Sequence, residues 1–558
     1  FFAERGSQLL RQGGITGQVF PSAFHANQSA TGIRRLYLER MTIRCCFSFE
    51  NRKKLFDIHR SFKFAAIAAR KENAGSASFH CGFYWHDLER LFDSRRRLSY
   101  NRDFVKRTGG NYYTFLELRG EEDADAAKTL FSSGEMVDGF TGRSAVRLGV
   151  EIDMSKGAHF FTAADSVIRD GSDGRDPAVS LRLRSQGFLL LHEGKTFHQF
   201  DDRWESPPRY LVAIQAIRDK AAWLVPAQYY RLAFRDIARS TDERTGIFCV
   251  LPPGILCGNK APCERQPETR PTSASLLLAA IANSFPFDFS LRMKVQATVN
   301  LFILNGCPFP SLDRLRQIFL AHTALRLSCN HSGFADLWAE QVGKCWREPK
   351  PEYEWPVLSA EDTRWECRAA IDAVVADAYD LSRHQYEHIL STFSHASYPK
   401  APYLCLEAFD ELREIGIDAF CQKRDPYWDI PLNENLPQPV LDLQIPGQNG
   451  IVQASLGPLF DSTAAAVAQA EIGMSTAPSV TAKPAPAPAL SVRASGNGAF
   501  ATITELLCSR GVITSSDAQQ VTGLDAAGVR PHLQRLVSEG LAVTEGQRRG
   551  MKYRRVDD

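Results

Sequence analysis

The hydrophobic pattern changes period several times along the chain. Near the start, ERGSQLLRQGG reads as the end of a helix closed by Gly13 and Gly14. ITGQVFPSAF then alternates like a strand running into a turn. TGIRRLYLERM has the spacing of a short amphipathic helix, and TIRCCFSFEN and FKFAAIAARK read as strands. The succession helix, strand, helix, strand, strand over residues 1–72 predicts the last part of a doubly wound α/β sheet. Residues 73–330 mix short strands such as GFLLLHE and IFCVLPPG with helices such as SLLLAAIANSF and SLDRLRQIFLAH, an α+β pattern. From 331 to 455 the spacing is mainly helical: ECRAAIDAVVADAYDL repeats apolar residues on one face, and YEHIL follows.

The pattern breaks over residues 456–498, where TAPSVTAKPAPAPALSVRASGNG is rich in Ala, Pro and Ser and predicts a flexible, partly extended linker. Residues 499–558 recover periodicity. FATITELLCSRG is an amphipathic helix stopped by Gly511, VITSSDAQQVTG offers a Ser cap and a second helix, and LDAAGVRPHLQRLVSEG is a third, ended by Gly540. LAVTEGQRRGMKYRRV reads as a hairpin turning at GQRRG. Three helices and a wing are the layout of a winged helix-turn-helix, whose third helix can enter the major groove. Arg530, His532 and Arg535 lie near one another on that helix. Arg548 and Arg549 fall at the wing tip, and Lys552, Arg554 and Arg555 follow. The same layout also serves protein interaction, but the clustered positive charge favours nucleic acid. Pro531 falls early in the third helix, where the first turn tolerates it.

Composition narrows the picture only a little. A chain of 558 residues is too long for one core of ordinary size and predicts several domains. Its 66 Lys and Arg nearly cancel 64 Asp and Glu, so net charge is silent and only local patches can argue for nucleic acid. The 13 Cys are scattered, mostly within apolar runs, which suits buried free thiols in a reducing cytoplasm. Cys257 and Cys263 in CGNKAPC have no second pair or His at zinc spacing, so no metal is expected. No run reaches the roughly 20 apolar residues of a membrane span, and no membrane association is expected. The chain opens FFAERG, without Met or a signal-peptide layout, and starts inside a helix–strand unit. That start leads us to expect a fragment.

Several chemistries find no motif. GxxxxGK[ST], HExxH and GxSxG are all missing from the sequence. EIDMSK at Glu151–Lys156 has an acid-x-acid-then-Lys look, but lacks the preceding Pro-Asp and the spacing of a metal-dependent nuclease. Four stretches remain: FENRKKLFDIHRSFKFAAIAARK at 49–71; EIDMSKGAHFFTAAD at 151–165 with LHEGKTFHQFDDRW at 191–204; RDIARSTDERTGIFCVLPPG at 235–254; and LLLAAIANSFPFDFSLRMKVQATVNLFILNGCPFP at 276–310. Each alone reads as a solvated basic turn, a polar hairpin or a capped helix end.

In this order the stretches resemble the downstream half of fused type IIG restriction-modification methylases and related adenine-N6 DNA methyltransferases of phage-defence systems. GGITGQVFPSAF stands where a strand and turn follow the family's catalytic motif. Phe49–Phe64 resembles the pattern FxNRKKxFxIHxSxKF, and His192–Arg203 resembles YEGKxxHQFDxR, with His192 where Tyr is usual. Phe234–Thr245 resembles FRDIARxTxERT. Ile281–Asn300 resembles LNSFxFDxxxRxKV followed by Asn, with Ile281-Ala282 replacing the usual Leu before Asn283-Ser284. YEHILSTF at 386–393 resembles YxxILxTF, so the likeness covers residues 1–395.

The resemblance implies transfer of a methyl group from S-adenosylmethionine to the exocyclic amine of an adenine flipped out of double-stranded DNA. It implies the end of a Rossmann-like class I methyltransferase sheet, then an α+β target recognition domain and a helical region, with the winged helix appended. Other subunits of a defence system are further partners it allows. The family's catalytic Asn-Pro-Pro-aromatic motif does not occur; the nearest Pro pairs are SPPR at 206–209 and LPPG at 251–254. The Gly-rich donor motif does not occur either, so no catalytic residue is expected here, and S-adenosylmethionine is expected to be held mainly by residues upstream.

DNA contacts are expected from Arg52, Lys53 and Lys63 in the first stretch, and from Lys195 and Arg203 in the second. In the third, Arg235, Arg239 and Arg244 can fork onto phosphate oxygens, with Thr245 and Ser240 adding neutral contacts and Asp236 and Glu243 orienting the arginines. A salt-bridge network inside the domain explains the same residues. A satisfied turn at His198 and Asp201 likewise explains HQFDD. In the last unit the expected contacts are Arg530, Arg535, Arg548 and Arg549. Two other functional classes stay open: a non-enzymatic DNA-binding or regulatory protein, and a scaffold that docks a separate enzyme.

Overall fold

TIRCCFSFE and KFAAIAAR are rich in residues that pack well on a pleated surface, and they pair. In the computed structural model, strand β1 spans Ile15–Pro21, β2 Thr42–Glu50 and β3 Lys63–Arg70. β3 lies antiparallel between the other two, from Ile15↔Arg70 to Pro21↔Phe64 on one side and from Thr42↔Arg70 to Glu50↔Lys63 on the other. β1 and β2 therefore run parallel to each other, joined through the helix Thr31–Arg40. The sheet does not stop at residue 72. β4 (Phe79–Trp85) adds parallel to β2, and β5 (Leu98–Tyr100) closes the order β1-β3-β2-β4-β5. The described residues are 1–444 and 496–555, apart from 61, 73–76, 137–145, 240, 296–297, 344–346, 348–356, 511, 525, 539–541 and 546–551.

Shorter strands follow: β6 (Gly134–Met136), β7 (Leu148–Gly149), β8 (Phe161–Ala163), β9 (Phe188–His192), β10 (Tyr210–Ala213), β11 (Arg231–Phe234), β12 (Phe248–Leu251), β13 (Ile255–Cys257), β14 (Cys263–Glu264) and β15 (Pro308–Pro310). They form two four-stranded sheets, β13-β9-β10-β8 and β12-β11-β14-β7, and the pair β15-β6. The molecule is thus mixed α/β.

The helices Thr272–Ala282 and Phe285–Arg292 bend by 70° at Asn283-Ser284, where the Ser284 hydroxyl caps the second helix. Their side chains Leu276, Leu277, Leu278, Ile281, Phe285, Phe287 and Phe289 are at most 2% exposed. At about 1.5–3 kcal/mol for each large apolar side chain buried, this pair is a principal anchor of the core. One apolar cluster runs from Ala3 to Leu432, taking in the first sheet and these helices. That shared core lies within one compact unit, Phe1–Ala464. Among the described residues no single helix is long and apolar enough to cross a membrane.

The second unit is Ala465–Asp558. A helix spans Gly496–Arg510, so regular structure starts before residue 499. β16 (Val512–Thr514), the helices Ser515–Thr522 and Ala526–Ser538, β17 (Ala542–Glu545) and β18 (Lys552–Arg555) follow. β16 is a strand that the pattern VIT did not announce, and it pairs with β18 in the order β16-β18-β17. The second helix is capped by Thr514, not by a serine. Thr514 Oγ1 accepts from the Asp517 N–H, and the Asp517 carboxylate accepts from the Thr514 N–H (2.8 Å), a reciprocal box. Ile503, Leu507, Ile513, Val529, Leu533 and Leu536 form its core. Of the linker expected over 456–498, residues 456–495 lie outside the described residues.

Candidate nucleic-acid interface

Open α/β sheets bind ligands in the crevice beyond the carboxyl ends of their parallel strands. Here β1 ends at Pro21 and β2 at Glu50, and the antiparallel β3 begins beside them at Lys63. A cleft of about 1350 Å³ opens at that end. One wall carries Glu50, Arg52, His59, Arg60, Phe62 and Lys63, and the facing wall carries Arg239, Thr241, Lys294, Thr298 and Asn300.

The loop after β2 is built by Asn51, which is fully buried. Its Nδ2 donates to the carbonyls of Phe56 (2.9 Å) and Ile58 (2.8 Å), and its Oδ1 accepts from the Phe56 N–H (3.0 Å). Lys54 turns the chain with φ +53°. The loop therefore presents Arg52, Arg60 and Phe62 to the cleft from a fixed base.

Cations on this wall differ in how far they are already neutralised. Lys63 Nζ lies 2.9 Å from Glu117 Oε2 and 3.8 Å from Glu50 Oε1. Burial alone would raise the Glu117 carboxyl, but hydrogen bonding from His25 and the charge of Lys63 hold it down to about 2. The Tyr84 ring packs beneath Lys63 (4.7 Å) and Arg119 (4.9 Å) with its backbone at φ +58°. Such a conformation costs a bulky residue about 1–3 kcal/mol and persists where neighbours over-determine it. Lys53 pairs with Asp87 (2.9 Å). Arg52 pairs with Glu50 (2.7 Å), yet its side chain stays 61% exposed. Lys63 is thus committed within the protein, whereas Arg52 and Lys53 keep exposed side chains beside their ion pairs, and of these two Arg52 lines the cleft.

In RDIARSTDERT the structure corrects the sequence reading. Arg244 is buried: its Nε donates to Asp288 Oδ2 (2.8 Å), its Nη2 donates to the Asn283 carbonyl, and its guanidinium lies 4.0 Å above the Phe285 ring. Thr245 is fully buried, with its N–H directed to Asp288 and its hydroxyl to the Arg239 carbonyl (3.1 Å). Arg235 donates to the carbonyls of Gly194 and Phe197, both at 2.6 Å. Arg292 closes the loop from the other side, donating to the carbonyls of Asp242 and Glu243. Arg244 and Thr245 are therefore turned inward and buried, and half-buried Arg235 spends two of its donors on backbone carbonyls. Asp236 pairs with Lys260 (3.0 Å) and Glu243 accepts from Ser397 (2.8 Å), so neither orients these arginines. Of the expected residues in this stretch Arg239 is exposed and lines the cleft, while Ser240 lies outside the described residues.

Lys195 and Arg203 are exposed but do not line the cleft. Between them, HQFDD is a tied turn. His198 and Asp201 bridge backbone to backbone, Arg364 donates to the Phe200 carbonyl (3.2 Å), and Arg368 donates to that of Gln199 (3.1 Å). Asp202 meets buried His331 at 3.0 Å. His192, standing where the resembled pattern has Tyr, bonds through Nδ1 to Thr196 Oγ1 (2.8 Å).

Glu151 of EIDMSK is structural. Its carboxylate takes both Arg231 Nη1 (2.8 Å) and Nη2 (3.0 Å), Arg265 Nη1 (2.6 Å) and the Cys257 N–H (2.7 Å). Glu151, Cys257 and Cys263 bring their ligand atoms within 4.8 Å of one another, but two guanidiniums already occupy the carboxylate and oppose a cation. In the second unit Arg530 and Arg535 are exposed on the helix Ala526–Ser538, and Arg535 stacks 4.1 Å over Phe500. Arg548 and Arg549 lie outside the described residues.

Sequence reasoning missed Arg60, Asp288, Arg292 and Lys294. Asp288 and Arg292 had a signal, since an acid and an arginine at i,i+4 project from one face of a helix.

No family model matches the chain, and no curated protein does. Among solved structures it is similar to the type IIG restriction endonuclease BpuSI, with TM-score 0.26 and 11% identity over 68% of this chain and 49% of that one. It is also similar to the type IIL restriction-modification enzyme MmeI in complex with DNA, with TM-score 0.35 and 10% identity over 76% of this chain and 51% of that one. The chain spans about half the length of each structure.

Proposed function

We propose that this chain supplies target recognition and the last strands of the donor sheet in an adenine-N6 DNA methyltransferase of a restriction-modification or phage-defence system. The observation that carries the reading is the cleft at the carboxyl ends of β1 and β2, with Arg52 and Arg60 facing Arg239 across it. A groove with cations on both walls suits a polyanion such as double-stranded DNA. The antiparallel β3 between parallel β1 and β2 suits the end of a Rossmann-like class I sheet. The second unit is read as a winged helix, with Arg530 exposed on the helix that would meet the groove.

S-adenosylmethionine belongs to this reading as the donor, but the residues here do not fit a donor site. β1 and β2 lead into Pro21-Ser22-Ala23 and the Asn51 loop, neither of them Gly-rich, and no Asn-Pro-Pro-aromatic sequence is present. The part assigned to these residues is therefore to hold and position DNA.

Binding of a DNA duplex across a salt series tests the proposal. We expect log affinity to fall linearly with log salt, by about 0.9 for each phosphate contacted. An affinity insensitive to salt would favour the scaffold role.

A further inference from the structure

We infer that Lys294 and Arg239 form a phosphate-oxygen subsite on the cleft wall facing the sheet, with Thr241, Thr298 and Asn300 as neutral donors. The inference rests on the reading of the cleft as a nucleic-acid groove and names which wall grips the backbone.

The two walls differ in how their charge is balanced. On the sheet side, Arg52 and Lys63 are paired with Glu50 and Glu117, and Arg60, whose Nε donates to the Arg52 carbonyl (3.1 Å), is the one guanidinium without an ion-pair partner among the described residues of that wall. On the facing side, neither Lys294 nor Arg239 has an ion-pair partner among the described residues. Arg239 is exposed, and its loop is held from behind: its backbone N–H meets Asp242 (2.9 Å) and its carbonyl accepts from the buried Thr245 hydroxyl. The inward Arg244–Asp288 pair thus has a purpose, since it fixes the loop that displays Arg239.

Lys294 follows the helix Phe285–Arg292 by two residues and is half-buried. Its Nζ donates to the Thr108 carbonyl and lies 5.2 Å from the Phe131 ring. A Cβ on Gly306 would stand 3.4 Å from that Nζ, so a glycine there leaves the ammonium its room. The side chain borders both the cleft and a small enclosed cavity that Glu117 also lines. A half-buried ammonium given to one carbonyl among the described residues retains donors for an anion. A point charge beside an arginine fork suits the oxygens of a phosphodiester.

Burial lowers the Lys294 ammonium to about 8, against a small opposing influence from the Cys307 thiol. The groups facing it are the Thr108 carbonyl, the Phe131 ring, Cys307 and, across the small cavity, Glu117. The subsite therefore carries its full charge below neutrality and loses part of it above.

The test is duplex binding by the full chain, in salt series at pH 7 and pH 9, for wild type, Lys294→Met, Lys294→Arg and Arg239→Gln. Lys294→Met and Arg239→Gln should each flatten the salt slope by about 1 and weaken binding several-fold at low salt. Wild type should lose affinity between pH 7 and pH 9 by more than Lys294→Arg, which stays charged. Wild-type slopes in both neutralised variants would overturn the subsite while leaving the cleft as a DNA groove. A wild-type chain that binds no duplex would overturn both. Should Lys294→Met fail to fold, Lys294→Arg and the exposed Arg239→Gln still decide. Protection of Lys294 from amine modification by inorganic phosphate but not by duplex would reassign the site to a free anion.

Discussion

Arg244 Nε stands 2.8 Å from Asp288 Oδ2, out of water, and this pair joins two segments that look unrelated in the sequence. Asp288 also accepts from the backbone N–H groups of Thr245 and Gly246 (3.0 Å), so one carboxylate organises the whole bend. Removing one partner of a buried ion pair strands the other charge and costs about 3–5 kcal/mol. Asp288→Ala should lower the urea midpoint accordingly, and DNA binding should weaken with it because the bend that displays Arg239 is loosened. An Arg244→Ala variant with unchanged melting and lost binding would contradict the inward role.

Arg60 and Arg52 should act on binding without acting on stability. Both are exposed on the loop that Asn51 pins. Surface substitutions away from special features usually change stability by about 0.5 kcal/mol or less. Replacing both by Ala should leave thermal melting unchanged and reduce the salt slope of DNA binding. Asn51→Ala should give a related binding loss with lower stability, because three hydrogen bonds that shape the loop disappear.

Acid should loosen the floor of the cleft. The Glu117 carboxyl is held at about 2 against its ordinary 4.5. A group with a depressed folded value adds stability above its unfolded value, and that stability is lost as pH falls through the folded one. Urea midpoints should therefore decline between pH 4.5 and about 2. The decline should be shallower in Lys63→Met, which lacks the cation facing Glu117.

Alkali should act on another contact. His388 Nε2 lies 2.8 Å from Asp123 Oδ1, tying the helix Arg383–Ser391 to Glu121–Ser132. The hydrogen bond to Asp123 raises the His388 imidazole above its usual value, and the neighbouring charge of Glu122 adds to the shift. A raised folded value means the contribution is complete below the unfolded value of about 6.5 and is lost as pH rises through the folded one. His388→Gln should remove that part of the stability profile while leaving the acid limb unaltered.

Thiol reactivity offers a check on packing. Among the cysteines whose side chains are described, all are free and all but Cys45 are buried. Burial pushes the Cys81, Cys249 and Cys405 thiols well up. Neutral alkylation of the native chain should label Cys45 first among these residues and the others only after unfolding. Mapping the labelled peptides settles the order.

Periodicity along the chain determined much of the local structure, because a strand or helix declares itself through which of its own neighbours are apolar. ITGQVFP, TIRCCFSFE and KFAAIAAR read as strands and are strands. The extent of the first sheet was not legible, because β4 and β5 join it through pairings across distant registers that no local pattern announces. Nor was the fate of each cation. Arg239 and Arg244 share a loop and a chemistry, yet one faces the cleft and the other lies against Asp288. A sequence states that a charge is present. Whether it remains free for a ligand depends on which carboxylates and carbonyls the rest of the chain brings to it, and only the tertiary structure decided that.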